Sequence, residues 1–209
     1  MDIAFASAVP EPTTILGLRL LPLSLGRYRL LKRFGCSFVA EGFATASMDD
    51  LFLGLVICSL ACGEFLELIE SPHAGRELKR WGKRIRKEIR RDKHFTIFEK
   101  YALFRRYIAE ASATPSYWVE RDNDGAPGSA AHWSTAVEVV LRGELGYSKE
   151  EIEEGPLSKA LLDYFKWSEN TGAIRLLHPG ELDAADENAR ILEAAFAKAK
   201  AAGETGNAS

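Results

Sequence analysis

The sequence is short of the residues that mark most active sites. Its four histidines, His73, His94, His132 and His178, show no HExxH or other ligand spacing. A solvated or internally satisfied side chain is the expectation for His132, which sits beside Trp133. Cysteine is scarce and odd in number: Cys36, Cys58 and Cys62. That count, in apolar surroundings, argues against a disulfide framework and reads as buried reduced thiols. Cys58 and Cys62 lie four apart and would share a helix face, but no second pair completes a tetrahedral metal site. GxxxxGK[ST], GxGxxG and GxSxG are all missing, which removes the common phosphate-cradling loops and the nucleophile elbow. No catalytic residue, metal or cofactor is expected, and the protein reads as non-enzymatic.

Long apolar runs are missing too. The longest, "LFLGLVICSLACG" at 51–63, falls well short of the roughly 20 residues of a membrane span. The opening "MDIAFASAVPEPTT" is acidic and broken by proline, unlike the basic start of a secretory leader. The expectation is a soluble cytoplasmic protein without a membrane partner. There is no internal repeat and no evident linker; the stretch 113–128 is the one candidate boundary.

What is present suits a helical domain. Of 209 residues, 46% are hydrophobic and 27% charged, enough apolar material for a sizeable core. "TTILGLRLLPL" alternates Leu16, Leu18 and Leu20 with Gly17 and Arg19, a short extended segment ended by Pro22. Ser24 then caps a helix that Gly35 ends, with Leu25, Tyr28 and Leu31 at helical spacing. Arg27, Arg29 and Arg33 are spread around it, unlike the segregated face of a membrane-surface helix. From Ser47 or Asp49 a helix runs through 49–70, apolar on most sides and so the centre of the core. Leu53, Val56 and Leu60 are predicted to be almost fully buried there.

Pro72 opens the next helix, whose Leu78, Trp81, Ile85 and Ile89 form one narrow stripe. Ile97, Tyr101, Phe104 and Ile108 mark a fourth helix. The Pro/Gly/Asn/Asp-rich stretch 113–128 reads as a loop. Trp133, Val137, Val140 and Leu141 set a further helix stopped at Gly146. Ser148 with Glu151 is a capping box, and Glu150, Glu151, Glu153 and Glu154 read as a solvated helix start. Leu157, Leu161, Tyr164 and Phe165 face inward from a helix opened by Pro156. "AIRLL" is a possible strand, followed by an Ala-rich helix and a disordered end. The fold class is therefore all-α: six or seven helices, with short extended segments at most near 14–21 and 173–177. Residues 1–180 form the domain and 181–209 the Ala-rich helix and tail.

Charge is the strong local signal. From Arg76 to Lys93 ten basic residues face three acidic ones, a net of +7 in a chain whose total is −3. Three readings compete. The helix can be a solvated one that packs by Trp81 and Ile85 while its charges meet acids elsewhere in the fold. It can face an acidic protein surface, or it can lie on a phosphate backbone. Nucleic acid ranks last, because Trp81 alone supplies an aromatic within the run. Lys79, Lys83, Arg86 and Arg90 are the candidate partner-binding residues on this helix, with Tyr117 and Trp118 from the 113–128 stretch.

Three segments together, "LGLRLLPLSLGRYRLLKRFG", "DLFLGLVICS" and "VVLRGELGYSKEEIEEGPLSKALLDYF", resemble a group of tailed-bacteriophage and prophage proteins from the structural gene module. The last carries most of the likeness: a helix ending in "LGYS", an acidic turn, and re-entry with "LSKALLDYF". The basic helix and the Ala-rich tail lie outside it. The resemblance implies a small helical tail-assembly chaperone working in the host cytoplasm. Its partners would be phage tail proteins, the tape-measure protein and the tube subunits. Such a chaperone covers the exposed apolar side of a long helical protein until the tube assembles around it. A virion structural or connector protein and a nucleic-acid-binding protein using 76–93 are the alternatives.

Overall fold

The computed structural model describes residues 12–40, 46–92, 94–119 and 132–177, together with 180, 181, 184, 187, 188 and 190–192. The fold is all-α, as the periodicities predict. Its described residues form eight α-helices, one 3-10 turn at Ser37–Val39 and two small antiparallel ribbons. The first ribbon pairs β1 (Thr14–Ile15) with β2 (Leu18–Arg19). Leu16 and Gly17 make its turn at φ 49° and 70°, the doubly left-handed geometry that matches the twist of a two-residue hairpin. Alternation then turns Ile15 and Leu18 into the core.

Helix α1 (Leu25–Arg33) starts where Ser24 accepts a hydrogen bond from Arg27 N at 3.1 Å, and it stops before the left-handed Gly35. The predicted 49–70 helix is two helices, α2 (Met48–Ser59) and α3 (Cys62–Glu70). Leu60 and Ala61 between them are extended. Side chains take up the backbone groups that the break frees. Arg27 Nε donates to Leu60 O at 3.0 Å, Cys62 N donates to the Glu154 carboxylate at 2.6 Å, and Ala61 N to that of Glu64 at 3.1 Å.

This break corrects three expectations. Cys58 and Cys62 sit on different helices. Val56 is fully buried, but Leu53 and Leu60 are half-buried, because one side of α2 is left uncovered. Glu154 is not a solvated residue at a helix start. It ends α7 (Lys149–Glu154) and pairs with Arg27, whose side chain is 2% exposed. Glu150 and Glu151 do face solvent, and Ser148 and Glu151 close the predicted capping box.

The remaining helices are α4 (Ala74–Arg91), α5 (Ile97–Ala111), α6 (Trp133–Gly143) and α8 (Leu157–Asn170). The helix count exceeds six or seven because 49–70 divides and α7 stands alone. Leu25, Leu31, Val56, Phe65, Phe104 and Leu141 are among the core residues fully withdrawn from solvent. Gly54 lets α2 meet α5 closely: a Cβ there would lie 2.5 Å from the Phe104 ring. Segments on either side of 120–131 pack on each other, with Leu157 N donating to Leu23 O at 2.7 Å and Arg29 paired with Glu138 at 2.5 Å.

Part of the stretch read as a loop is a strand. β3 (Tyr117–Val119) pairs antiparallel with β4 (Ile174–Leu176), Trp118 opposite Arg175. β4 is the short segment expected near 173–177. The rest of 113–128 beyond Val119, His178 and the end read as disordered lie outside the described residues. Among the described residues no helix is long and apolar enough to cross a membrane.

Candidate functional site

Helix α4 holds the basic run. Glu77 stands in its first turn and Arg90 and Arg91 in its last, an arrangement that suits the helix dipole. Its apolar stripe turns toward α2 and α3. Only Ile85 of the stripe is buried; Leu78, Trp81 and Ile89 are half-covered. Every basic side chain of the helix is exposed.

The ion pairs of α4 are internal to it. Arg80 meets Glu77 at 2.5 Å and Arg91 meets Glu88 at 2.9 Å. Arg84 donates to Gly17 O at 3.1 Å and stands 5.9 Å from the Trp81 ring centre. Among the described residues, none of the α4 cations pairs with an acid on another element. Arg76, Lys79, Lys83, Arg86, Lys87 and Arg90 make no hydrogen bond or ion pair there at all. Among the described residues, six cations on this helix thus stand exposed without an ion-pair partner.

Beside them lies an open groove of about 500 Å³ between α2 and α4. Phe52, Leu51 and Leu55 line it from α2, and Leu78, Ile85 and Ile89 from α4. Gly82 lies on its α4 wall, where a Cβ would make only ordinary contacts, 3.7 Å from the Arg86 guanidinium and 3.8 Å from the Phe52 ring. Lys79 and Arg86 line it too, with Asp49 at the start of α2. Arg86 also belongs to a second recess of about 460 Å³ with Lys83, Lys87, Arg90 and Arg91. An apolar trough with adjoining positive charge can hold the apolar side of a segment whose flanks are acidic.

The six candidate residues do not form one site. Lys79, Lys83, Arg86 and Arg90 share α4. Tyr117 and Trp118 are exposed on β3, at 45% and 58%. Tyr117 packs 5.4 Å from Phe165 and lines a separate recess of about 270 Å³ with Trp133 and Tyr164. Phe52 and Met48, which complete the α2 wall of the groove, were hidden in the sequence because an all-round apolar helix reads as buried throughout. Met48 is in fact 41% exposed.

The chemistry elsewhere is quiet. Cys36, Cys58 and Cys62 are free and buried. Burial pushes the Cys58 thiol up to about 12 and those of Cys36 and Cys62 to about 11, so none is a nucleophile at neutral pH. His132 caps α6, its Nδ1 accepting from Ser134 N at 3.3 Å. Among the described residues no group of three or more His, Cys, Asp or Glu side chains is placed to hold a metal ion. No family model, no curated protein and no solved structure matches the chain.

Proposed function

We propose that this is a non-enzymatic binding protein that holds an acidic protein partner on the α4 surface. The observation that carries the reading is a set of six exposed cations on α4, without ion-pair partners among the described residues, beside an open apolar groove. Solvated cations lose little by staying in water, so they do not explain the fold; they offer long-range attraction to a negative surface. An acidic protein suits them better than nucleic acid. The chain as a whole is negative, whereas a dedicated nucleic-acid-binding domain usually carries a basic excess over the whole domain as well as on one face. Trp81, the run's aromatic, is half-covered beside Arg84 and offers no stacking platform.

The tail-assembly chaperone suggested by resemblance is a specific form of this reading. Its client, a long helical protein with an exposed apolar side, would lay that side in the groove. The test replaces Lys79, Lys83, Arg86 and Arg90 with Gln, leaving Trp81, Ile85 and Ile89 in place. Tagged wild type and variant are recovered from host cells making the tail proteins. The expected result is capture of a tail protein by wild type only, weakening as salt rises past 0.1 M, where the screening length is about 10 Å. A folded variant that keeps the tail protein at full strength overturns the reading. So does tight DNA binding by wild type, with a dissociation constant well below the 10⁻⁴–10⁻⁶ M typical of non-specific contacts.

A further inference from the structure

We infer that the α2–α4 groove also receives the acidic C-terminal segment 180–196 of a second copy of this chain. The inference rests on the reading that the α4 surface is the binding face, and it adds self-association as a control on that face.

The receiving half is the groove. Its walls are mostly apolar, with Asp49 at the start of α2, and among the described residues Lys79 and Arg86 make no ion pair. The inserting half is read from sequence and exposure. Between 180 and 196 the chain carries Glu181, Asp183, Asp186, Glu187 and Glu193 against the single cation Arg190. Leu182, Ala185, Ala189, Leu192 and Phe196 recur at spacings of three and four, the stripe of an amphipathic helix with small residues at its middle. The described positions from Gly180 to Leu192 are helical and exposed. Ile191 and Leu192 are each 58% exposed, so these two apolar side chains are left uncovered.

Size and charge agree. From Leu78 to Ile89 the α4 wall is about 16 Å long, and at about 1.5 Å per residue the described helical positions from Gly180 to Leu192 span about 18 Å. Acidic flanks on an apolar stripe complement a basic rim on an apolar trough. The segment begins beside β4 of its own chain, where Arg175 holds Glu181 at 3.2 Å, and from there it leaves Ile191 and Leu192 in solvent. A second copy supplies the missing cover. Because each copy owns both halves, the exchange is made twice and closes as a two-fold dimer. While the exchange lasts, an outside partner is kept from the groove, and a partner of higher affinity displaces the segment.

The test uses three full-length proteins: wild type, a groove variant (Lys79→Glu/Arg86→Glu) and a tail variant (Ile191→Ser/Leu192→Ser). All substituted residues are exposed, and circular dichroism checks that each variant folds. Mass is measured by light scattering after gel filtration in about 0.05 M and about 0.5 M salt, on either side of a 10 Å screening length. Wild type is expected as a dimer at low salt that shifts toward monomer at high salt. Each variant alone is expected as a monomer. Mixing the two variants restores a dimer, because the intact groove of one still meets the intact tail of the other. A monomeric wild type at low salt overturns the inference, as does a wild-type dimer that both variants preserve. The separate reading of partner binding is judged by tail-protein capture. Capture without dimerisation sinks only this inference, and dimerisation without capture sinks only that reading.

Discussion

Replacing Arg27 with Met tests the account of how the helices are joined. Arg27 is 2% exposed, yet its guanidinium reaches three segments. Nε donates to Leu60 O at the α2–α3 break (3.0 Å), and Nη1 to Pro22 O (3.1 Å) and Ser24 Oγ (3.3 Å) ahead of α1. Nη2 meets the Glu154 carboxylate at the end of α7. Met fills much of the volume but donates nothing. The carbonyls of Leu60 and Pro22 lose a donor, at about 1–3 kcal/mol for each one that water does not reach. Removing one partner of a buried ion pair costs about 3–5 kcal/mol. Here the lower end applies, because the Glu154 side chain is 32% exposed and water takes over part of its solvation.

The expected loss is therefore about 3 kcal/mol, a large share of the 5–15 kcal/mol that holds a typical domain together. In urea, with a slope of about 2–3 kcal/mol per molar, the midpoint should fall by about 1–1.5 M. Glu154→Gln should lose less, since an amide oxygen can still accept from Cys62 N. A drop under about 1 kcal/mol for Arg27→Met, at an unchanged slope, would refute the claim that this side chain bridges the break.

Gly54→Ala should destabilise by about 1–3 kcal/mol through overpacking, since its Cβ would meet the Phe104 ring at 2.5 Å; a melting temperature equal to wild type would show that α2 and α5 are not in close contact. Acid should weaken the fold through its capping boxes. For Asp50, burial pushes the carboxyl up, but hydrogen bonds from Ser47 and Ser37 outweigh it and leave it below the usual range. Glu151 is held low chiefly by the Ser148 N–H, and by its hydroxyl. Both folded-state values lie under their unfolded ones, so this stability is present above the ordinary carboxylate range and fades as pH falls through the folded values. Thermal melts should accordingly change little from about pH 7 to 5 and decline below about 4.5, with a shallower decline for Asp50→Asn/Glu151→Gln. An equally steep decline in that variant would assign the acid sensitivity to other groups.

Local signals carried much of this fold into the sequence. Ser24, Ser47 and Ser148 announce helix starts because a hydroxyl that accepts from a first-turn N–H acts within three residues. The Leu78–Ile89 stripe marks the packed side of α4 because helical spacing alone decides which residues share a face. The break at Leu60 was not legible for the opposite reason. "CSLACG" contains no proline and no special turn residue at that point. The extended backbone is held by Arg27 and Glu154, the latter more than ninety positions away. β3 was hidden in the same way, since "YWV" in a loop-like stretch becomes a strand by pairing with residues 174–176.

The α4 surface shows how a local reading can find a charged face and still miss the groove beside it. Lys79, Lys83, Arg86 and Arg90 stood out as a charge run, and they are exposed as a charge run should be. Charge alone, however, gives attraction without a place to bind. The place comes from α2, whose apolar residues continue past what the core can cover. Val56 is enclosed, while Phe52 and Met48, one and two turns earlier, open toward α4. Buried helices show apolar residues on every side, and so does a helix that lends one side to a groove; only the position of the neighbouring helix separates them. The same uncertainty extends to Tyr117 and Trp118. Their aromatic character marked them for binding, yet Tyr117 spends part of its surface against Phe165, on an element that does not line the α4 groove. Exposed charge and open apolar volume meet at Lys79 and Arg86, and under the proposed reading substitutions at that pair should therefore disturb partner capture more than any at β3.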